Sequence, residues 1–296
     1  MKTLFIIDAN SLIHRAFHAL PPFTTPDKRP IGALYGVANI ILKIIKDKRP
    51  DYIVAAFDRP EQTFRDKEYA EYKGTRPQTA DELISQIIEA RRLFEMLKVK
   101  TFELAGWEAD DIIMTLTRKF KDVPDLKIIT FSGDLDILQA VVGDKIIAEV
   151  PKQGIREAMP YDEKAVVERF GVTPSELADY KGLVGDKSDN IPGVPGIGPK
   201  TAASIIKKYG PLETLFRDIE EIGLSDKKLE AKLKGNRNRA LMSKRLATLR
   251  SDVPIEVNLD ALETRAIDIV SALPYFKSLG FSALVARLEG EQKPSR

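Results

Sequence analysis

Cysteine is absent from this 296-residue sequence, histidine occurs twice, at His14 and His18, and tryptophan once, at Trp107. The first absence excludes a disulfide scaffold, a thiolate zinc site and a cysteine nucleophile. Two histidines are too few for a multi-histidine zinc or iron centre, and a histidine-based triad has only these two candidates. No apolar run approaches the ~18 residues a membrane span needs. The opening stretch, Met1-Lys2-Thr3-Leu4-Phe5-Ile6-Ile7-Asp8, meets a carboxylate far too early for a secretion signal. Strong net charge is lacking as well: 46 Lys+Arg face 44 Asp+Glu, a formal +2. With 43% hydrophobic and 30% charged residues, a collagen, a low-complexity tail and a disordered chain are excluded. At roughly 150 residues per domain, two domains are expected, in a cytoplasmic enzyme or binding protein that does not enter a membrane.

The first half alternates short apolar runs with helical stretches. Leu4–Ile7, Ile53–Phe57, Ile128–Phe131 and Ile146–Ala148 predict strands buried on both faces. Gly36–Ile45 and Leu83–Leu97 predict helices, the second with Leu83, Ile84, Ile87, Ile88, Phe94 and Leu97 on one face and a Thr79–Glu82 capping box. The alternation predicts a parallel sheet covered by helices. Residues 59–79 break the pattern: Arg59, Arg65, Lys67, Lys73 and Arg76 are mixed with acids and with Phe64, Tyr69 and Tyr72, and no apolar period supports packing. They predict a mobile, solvated excursion from a strand end. Beyond about residue 155 the pattern is helical: Asp162 caps a helix ending at Gly171, Thr173-Pro174-Ser175-Glu176 opens another, and a Gly/Pro-rich stretch covers 182–198.

Carboxylates sit where strands end. Asp8 follows the first apolar run, Asp58 the second, and Asp134 and Asp136 the third; Glu108, Asp110 and Asp111 open an apolar helix, and Asp186 and Asp189 lie in the later glycine-rich loop. Each alone is explained almost as well by capping or dipole compensation. Together they predict convergence, because ligands of open parallel sheets bind beyond the carboxyl ends of the strands. So many like charges need compensation. Oxygen donors without cysteine point to Mg²⁺ or Mn²⁺, and nine carboxylates to two or more ions, the arrangement of in-line phosphoryl transfer.

Val194-Pro195-Gly196-Ile197-Gly198-Pro199-Lys200-Thr201-Ala202 fits a helix-hairpin-helix element. Gly196 and Gly198 let the backbone approach a phosphate, the following helix offers free N–H groups, and Lys200 adds charge. Downstream, Lys227, Lys228, Lys232, Lys234, Arg237, Arg239, Lys244, Arg245 and Arg250 are opposed only by Glu230 within the run. A run so single-signed suits a row of phosphate contacts.

These motifs resemble a known family. Phe5-Ile6-Ile7-Asp8-Ala9-Asn10, Arg15-Ala16-Phe17-His18-Ala19, Phe57-Asp58, Tyr72-Lys73-Gly74-Thr75-Arg76-Pro77, Glu108-Ala109-Asp110-Asp111, Ser132-Gly133-Asp134-Leu135-Asp136 and Gly185-Asp186-Lys187-Ser188-Asp189-Asn190-Ile191-Pro192-Gly193 are similar to the bacterial 5′-nuclease (flap endonuclease) family. Within it they most resemble the N-terminal 5′→3′ exonuclease domain of bacterial DNA polymerase I, over nearly the whole chain and in order. The resemblance implies an α/β fold: a PIN-like, metal-dependent nuclease domain over 1–158 with a helical arch at about 59–90, a helical DNA-binding region over 159–288, and a tail over 289–296. It implies hydrolysis of DNA at 5′ flaps, overhangs and nicks, in replication and repair, by a monomer. Asp8, Asp58, Glu108, Asp110, Asp111 and Asp134 would form the first metal group, and Asp136, Asp186 and Asp189 the second. Lys73 and Arg76 would face the scissile phosphate. Arg15, Tyr72, the hairpin residues Gly196, Gly198 and Lys200, and Lys227, Lys228, Arg237 and Arg239 would contact DNA, with Tyr72 stacking a base. A monovalent cation at the hairpin is a further expectation. No proofreading or polymerase region follows within this sequence, which leaves a standalone nuclease and the front of a longer polymerase both open.

Three other readings stay open on the residues alone. A phosphatase with Asp8 as nucleophile would want a second carboxylate where Asn10 stands. A PIN-type ribonuclease would share the metal chemistry but not need the hairpin, and an inactive DNA-binding module would not need complete carboxylate groups.

Overall fold

The computed structural model describes residues 1–25, 27–152, 157–264 and 269–291. Its centre is a six-stranded sheet in the order β3-β2-β1-β4-β5-β6, formed by β1 (Lys2–Asp8), β2 (Tyr52–Ala56), β3 (Lys100–Phe102), β4 (Leu126–Phe131), β5 (Ile146–Pro151) and β6 (Ala158–Tyr161). The first five strands run parallel and β6 is antiparallel. The four apolar runs all form strands. The two strands without such a run, β3 and β6, are the sheet's edges, where one flank needs no neighbour.

Alternation along the buried strands divides the core in two. Phe5 and Ile7 of β1, with Ile53 and Ala55 of β2, pack under α1 (Ala9–Ala19), α2 (Gly32–Lys43) and α4 (Asp81–Met96). Leu4, Ile6, Val54 and Ile128 face the other way, against α5 (Ala109–Phe120) and the helical region beyond it. α2 continues into a π-helical turn over Ile44–Lys48, which ends at Arg49 with a φ of 46°.

Two details of α4 differ from expectation. Its N-cap is Ala80, without a side-chain cap, so the Thr79–Glu82 box is not made; Asp81 and Glu82 favour the first turn through the helix dipole instead. Its core face is Leu83, Gln86, Ala90, Leu93 and Phe94, leaving Ile84 and Ile88 exposed. Gln86 is tolerated there because its Oε1 accepts the Ala33 N–H at 2.8 Å.

Most of the excursion is exposed, as expected, but it also carries structure that the sequence pattern did not predict. Thr63 and Asp66 form a capping box that starts α3 (Phe64–Glu68). Arg65 and Tyr72 are buried, and Tyr72 packs with Ile191, Leu246 and Ala247 in a small third apolar cluster.

The later helices are α6 (Glu163–Phe170), α7 (Leu177–Val184), α8 (Pro199–Tyr209), α9 (Leu212–Glu221), α10 (Lys227–Lys234) and α11 (Arg237–Ala247), then α12 (Ile269–Ser278) and α13 (Ser282–Glu291). Asp162 caps α6 and Gly171 ends it in the left-handed region, as expected. The Thr173/Glu176 box forms too, but opens a short 3-10 turn that leads into α7. The expected domain limits fit less neatly. β6 pairs with β5 across position 158, and Ala272, Phe276 and Leu284 of α12 and α13 join the core under α2 and α4 rather than the helical region. α13 runs into the expected tail, whose residues 292–296 lie outside the described ones.

Candidate metal centre and nucleic-acid interface

The carboxyl ends of β1, β2 and β4 open onto a cavity of about 410 Å³, lined by Asp8, Asp58, Glu108, Asp110 and Asp134 together with Arg15, Lys73 and Arg76. Parallel pairing brings the strand ends level: Asp8 lies opposite Ala56, and Ile7 opposite both Ala55 and Phe131. Capping is also real. Asp8 Oδ1 accepts from Ser11 N at 2.9 Å and caps α1, and Asp134 Oδ1 accepts from Asp136 N at 2.9 Å. Asp58 Oδ1 accepts from Ala109 N at 2.7 Å, tying the end of β2 to the acidic start of α5. Asn10 Oδ1 accepts from Asp58 N at 3.2 Å, so Asn10 orients that loop.

The nine acids divide by whether a cation meets them. Glu108 Oε1 accepts from Lys73 Nζ at 2.9 Å, and Asp189 Oδ1 pairs with Arg76 at 2.5 Å. Lys181, on α7, bridges Asp136 and Asp186, the latter at 2.5 Å. Asp111 is wholly buried and spends both oxygens on Arg65, at 2.7 and 2.8 Å. It does not reach the cavity, which corrects its expected place beside the other metal ligands. Asp8, Asp58, Asp110 and Asp134 have no ion pair among the described residues.

Their titration follows. Burial, then the charge of Asp58, pushes Asp8 up to about 7 against hydrogen bonds from Ser132 and Ser11. Burial and the charges of Asp8, Asp134 and Asp58 hold Asp110 well above the ordinary carboxylate range. Burial also raises Asp134, against the pull of Lys181. Asp186 is the contrast: burial opposes ionisation, but Lys181 and Ser188 bring it down to about 2. Asp110 Oδ1 is buried without any hydrogen-bond partner. An orphaned carboxylate oxygen among like charges fits a hard cation as its missing partner. No three acidic or imidazole groups among the described residues are drawn together as a ready-made cage.

A second cavity of about 760 Å³ continues from the first through Arg76, Gly133 and Asp134 to Asp136 and Asp186, so Asp134 borders both. Asp189 lies behind Arg76 and takes the Tyr72 hydroxyl at 3.0 Å. Tyr72 is therefore packed, not presented to stack on a base. Lys73 has a φ of 53° and donates its N–H to the Asp189 carbonyl at 2.9 Å. Backbone strain of this kind costs about 1–3 kcal/mol and gathers at functional sites. Arg15 lines the first cavity and donates to the Pro151 carbonyl at 2.7 Å and to that of Lys152.

The hairpin forms as expected. Gly196 takes a φ of 73° and Gly198 precedes α8, whose first residue is Pro199; Lys200 is exposed. The Gly196 carbonyl accepts from Lys232 Nζ at 3.3 Å.

The basic run is less single-signed in space than in sequence. Lys227 and Lys234 share Glu230, Arg237 meets Glu220, and Lys244 meets Asp179 and Glu213. Arg245 meets Glu68, and Arg250 meets Asp252. Lys228, Lys232 and Arg239 have no acidic partner among the described residues. Sequence reasoning overlooked Lys181 and the role of Arg65; Lys181 was signalled only by its place on the helix entering the Asp186 loop.

A model of the 5′-3′ exonuclease N-terminal resolvase-like domain matches residues 3–171, and one of the 5′-3′ exonuclease C-terminal SAM fold matches 172–269. The chain belongs to the 5′-3′ exonuclease family. It is 41% identical over 300 residues to DNA polymerase I of Bacillus subtilis, with 99% of this chain and 34% of that protein covered. It thus spans about a third of the polymerase relatives it matches. A 5′-3′ exonuclease of Aquifex aeolicus is 34% identical, with 98% and 96% of the two chains covered. Among solved structures, T5 5′-exonuclease with bound zinc superposes with a TM-score of 0.68 at 25% identity, covering 84% of this chain and 90% of that one. The catalytic core of Rad2 with DNA substrate reaches 0.60 at 17% identity, covering 94% and 87%. No helix among the described residues is long and apolar enough to cross a membrane.

Proposed function

We propose that this chain hydrolyses DNA phosphodiesters at 5′ flaps, overhangs and nicks, acting as a monomer with Mg²⁺ or Mn²⁺. The observation that carries the reading is the set of uncompensated acids Asp8, Asp58, Asp110 and Asp134 in one cavity with Arg15, Lys73 and Arg76. Carboxylates alone would repel a phosphate; mixed with cations and divalent ions they suit one. Asp8, Asp58, Glu108, Asp110 and Asp134 would hold one ion, and Asp134, Asp136, Asp186 and Asp189 a second. When bound, such ions supply Lewis-acid stabilisation of phosphoryl oxygens and lower the pKa of the attacking water.

The protein's own part is charge and orientation. Lys73 and Arg76, paired with Glu108 and Asp189, sit at the cavity wall, where an entering phosphate competes for them. They then stabilise charge on the phosphoryl oxygens. Ser11 and Ser132 fix the Asp8 carboxylate, and Ala109 N–H fixes Asp58. The start of α8 with Lys200, and Lys228 and Arg239, would hold the duplex by its phosphates. A ribonuclease of related chemistry gives no reason for the hairpin.

The test is a labelled 5′-flap duplex incubated with Mg²⁺, with EDTA, and with the Asp134→Ala variant. Cleavage only in the first, with DNA binding kept in all three, supports the reading. Near-normal cleavage by the variant removes Asp134 from the site, and cleavage in EDTA removes the metals.

A further inference from the structure

Arg65 is a guanidinium buried to 1% exposure with every nitrogen engaged. Nη1 and Nη2 grip the two oxygens of Asp111, Nε donates to the Leu246 carbonyl at 2.8 Å, and Nη2 to the Thr248 carbonyl at 3.0 Å. Asp111 Oδ1 also accepts the Arg250 N–H at 2.8 Å. The Leu246 carbonyl belongs to the last turn of α11, so Arg65 is a cationic cap supplied from α3 to another helix's negative end. Gln139 completes the joint by donating to the Ala247 carbonyl and accepting Leu249 N–H, at 2.9 and 3.2 Å. Three pieces of chain distant in sequence thus meet at one side chain: the excursion, the acidic start of α5 and the end of α11.

The two ends joined have different tasks. α5 begins with Glu108 and Asp110 at the cavity; the Asp111 carboxylate also accepts Glu108 N–H at 3.3 Å, fixing that start. α11 lies along α7, from which the chain continues through the Asp186 loop to the hairpin. We infer that the Arg65–Asp111 pair is a positioning device that fixes the hairpin's distance from the acidic cavity and so selects which phosphodiester of a hairpin-bound DNA is cut. The inference rests on the proposed function. It gives Asp111 a role other than metal ligation. A lysine in place of Arg65 keeps the charge, but cannot hold both carboxylate oxygens and two carbonyls at once.

The experiment uses the full chain and a flap duplex labelled at its 5′ end, with product lengths resolved to one nucleotide under saturating Mg²⁺. Arg65→Lys and Asp111→Asn are expected to behave alike: cleavage spreads to neighbouring phosphodiesters, kcat falls about 10–100-fold, and the DNA Kd stays within about threefold. A merely structural role would lower stability and active fraction but leave the cut position alone. Cutting by either variant at the single parental position overturns the inference. So does a loss in Asp111→Asn alone that is reversed by raising Mg²⁺ beyond the level that saturates the parental protein, since that marks a ligand. Should Arg65→Lys fail to fold, Asp111→Asn carries the test by the same readouts. The parental protein on the same duplex reports separately on the proposed function: if it does not cleave, that reading fails first.

Discussion

Replacing Asp8 by asparagine should make the metal-free protein more stable while abolishing its turnover. With its folded value near 7 against an ordinary 3.8, Asp8 keeps its proton in the folded state where the unfolded chain has already lost it. The folded state binds the extra proton, so stability falls as pH rises from about 4 to 7, and the full penalty stands above that. Three units at about 1.4 kcal/mol each give about 4 kcal/mol at pH 8. Asparagine keeps the shape and the Ser11 N–H bond, but its amide must meet the Ser132 hydroxyl, which now donates to Asp8 Oδ2 at 2.6 Å. That mismatch costs about 1 kcal/mol. The expected net gain is about 3 kcal/mol at pH 8 in EDTA, shrinking to under about 1 kcal/mol at pH 5. Urea denaturation of both proteins at several pH values measures it. Excess Mg²⁺ should narrow the gap, because only the parental site gains about 2.7 kcal/mol from ligand at a hundred times its Kd. Equal stabilities at pH 8, or a gap that closes as pH rises, would refute the claim that this carboxylate lacks compensation.

Lys73→Ala and Arg76→Ala should each lower kcat about 10²–10³-fold with DNA Kd changed little; single-turnover cleavage separates this from a KM effect, which would make them ground-state contacts. Lys228→Ala and Arg239→Ala should each flatten the slope of log K against log salt by about 0.9, and Lys227→Ala less, because Glu230 already holds it; anisotropy titrations over a salt series decide. Gly193→Ala should cost roughly 3–5 kcal/mol through overpacking and left-handed strain, since φ is 58° and the new Cβ would lie 2.3 Å from Gly185 N. Thermal melting checks this, and an unshifted transition would mean that the Asp186 loop relaxes.

The strands and the convergence of their terminal acids were legible because both are local signals joined by one topological rule. An apolar run marks each interior strand, and parallel pairing sends all their carboxyl ends to one edge. β3 escaped because Lys100-Thr101-Phe102 carries no run to recognise, and β6 because its residues 158 and 161 face the core while 159 and 160 do not. Arg65 was illegible for a stronger reason. Its partners lie 46 and more than 180 residues away, so no window around it contains the reason for its burial. Charge counting failed likewise on the basic run, whose partners Glu68, Asp179 and Glu213 are remote. The same remoteness sorts the acids. In sequence, Asp111 and Asp110 are adjacent carboxylates of one helical turn. In space one meets a guanidinium and the other an unpartnered oxygen's worth of cavity. What leaves a carboxylate's charge unquenched here is therefore the absence of a cation beside it, a property the fold assigns by bringing Arg65, Lys73, Arg76 and Lys181 to five of the nine acids and to none of Asp8, Asp58, Asp110 and Asp134. Removing one of those cations should thus do more than weaken a contact: it would enlarge the set of acids that a divalent ion must quench.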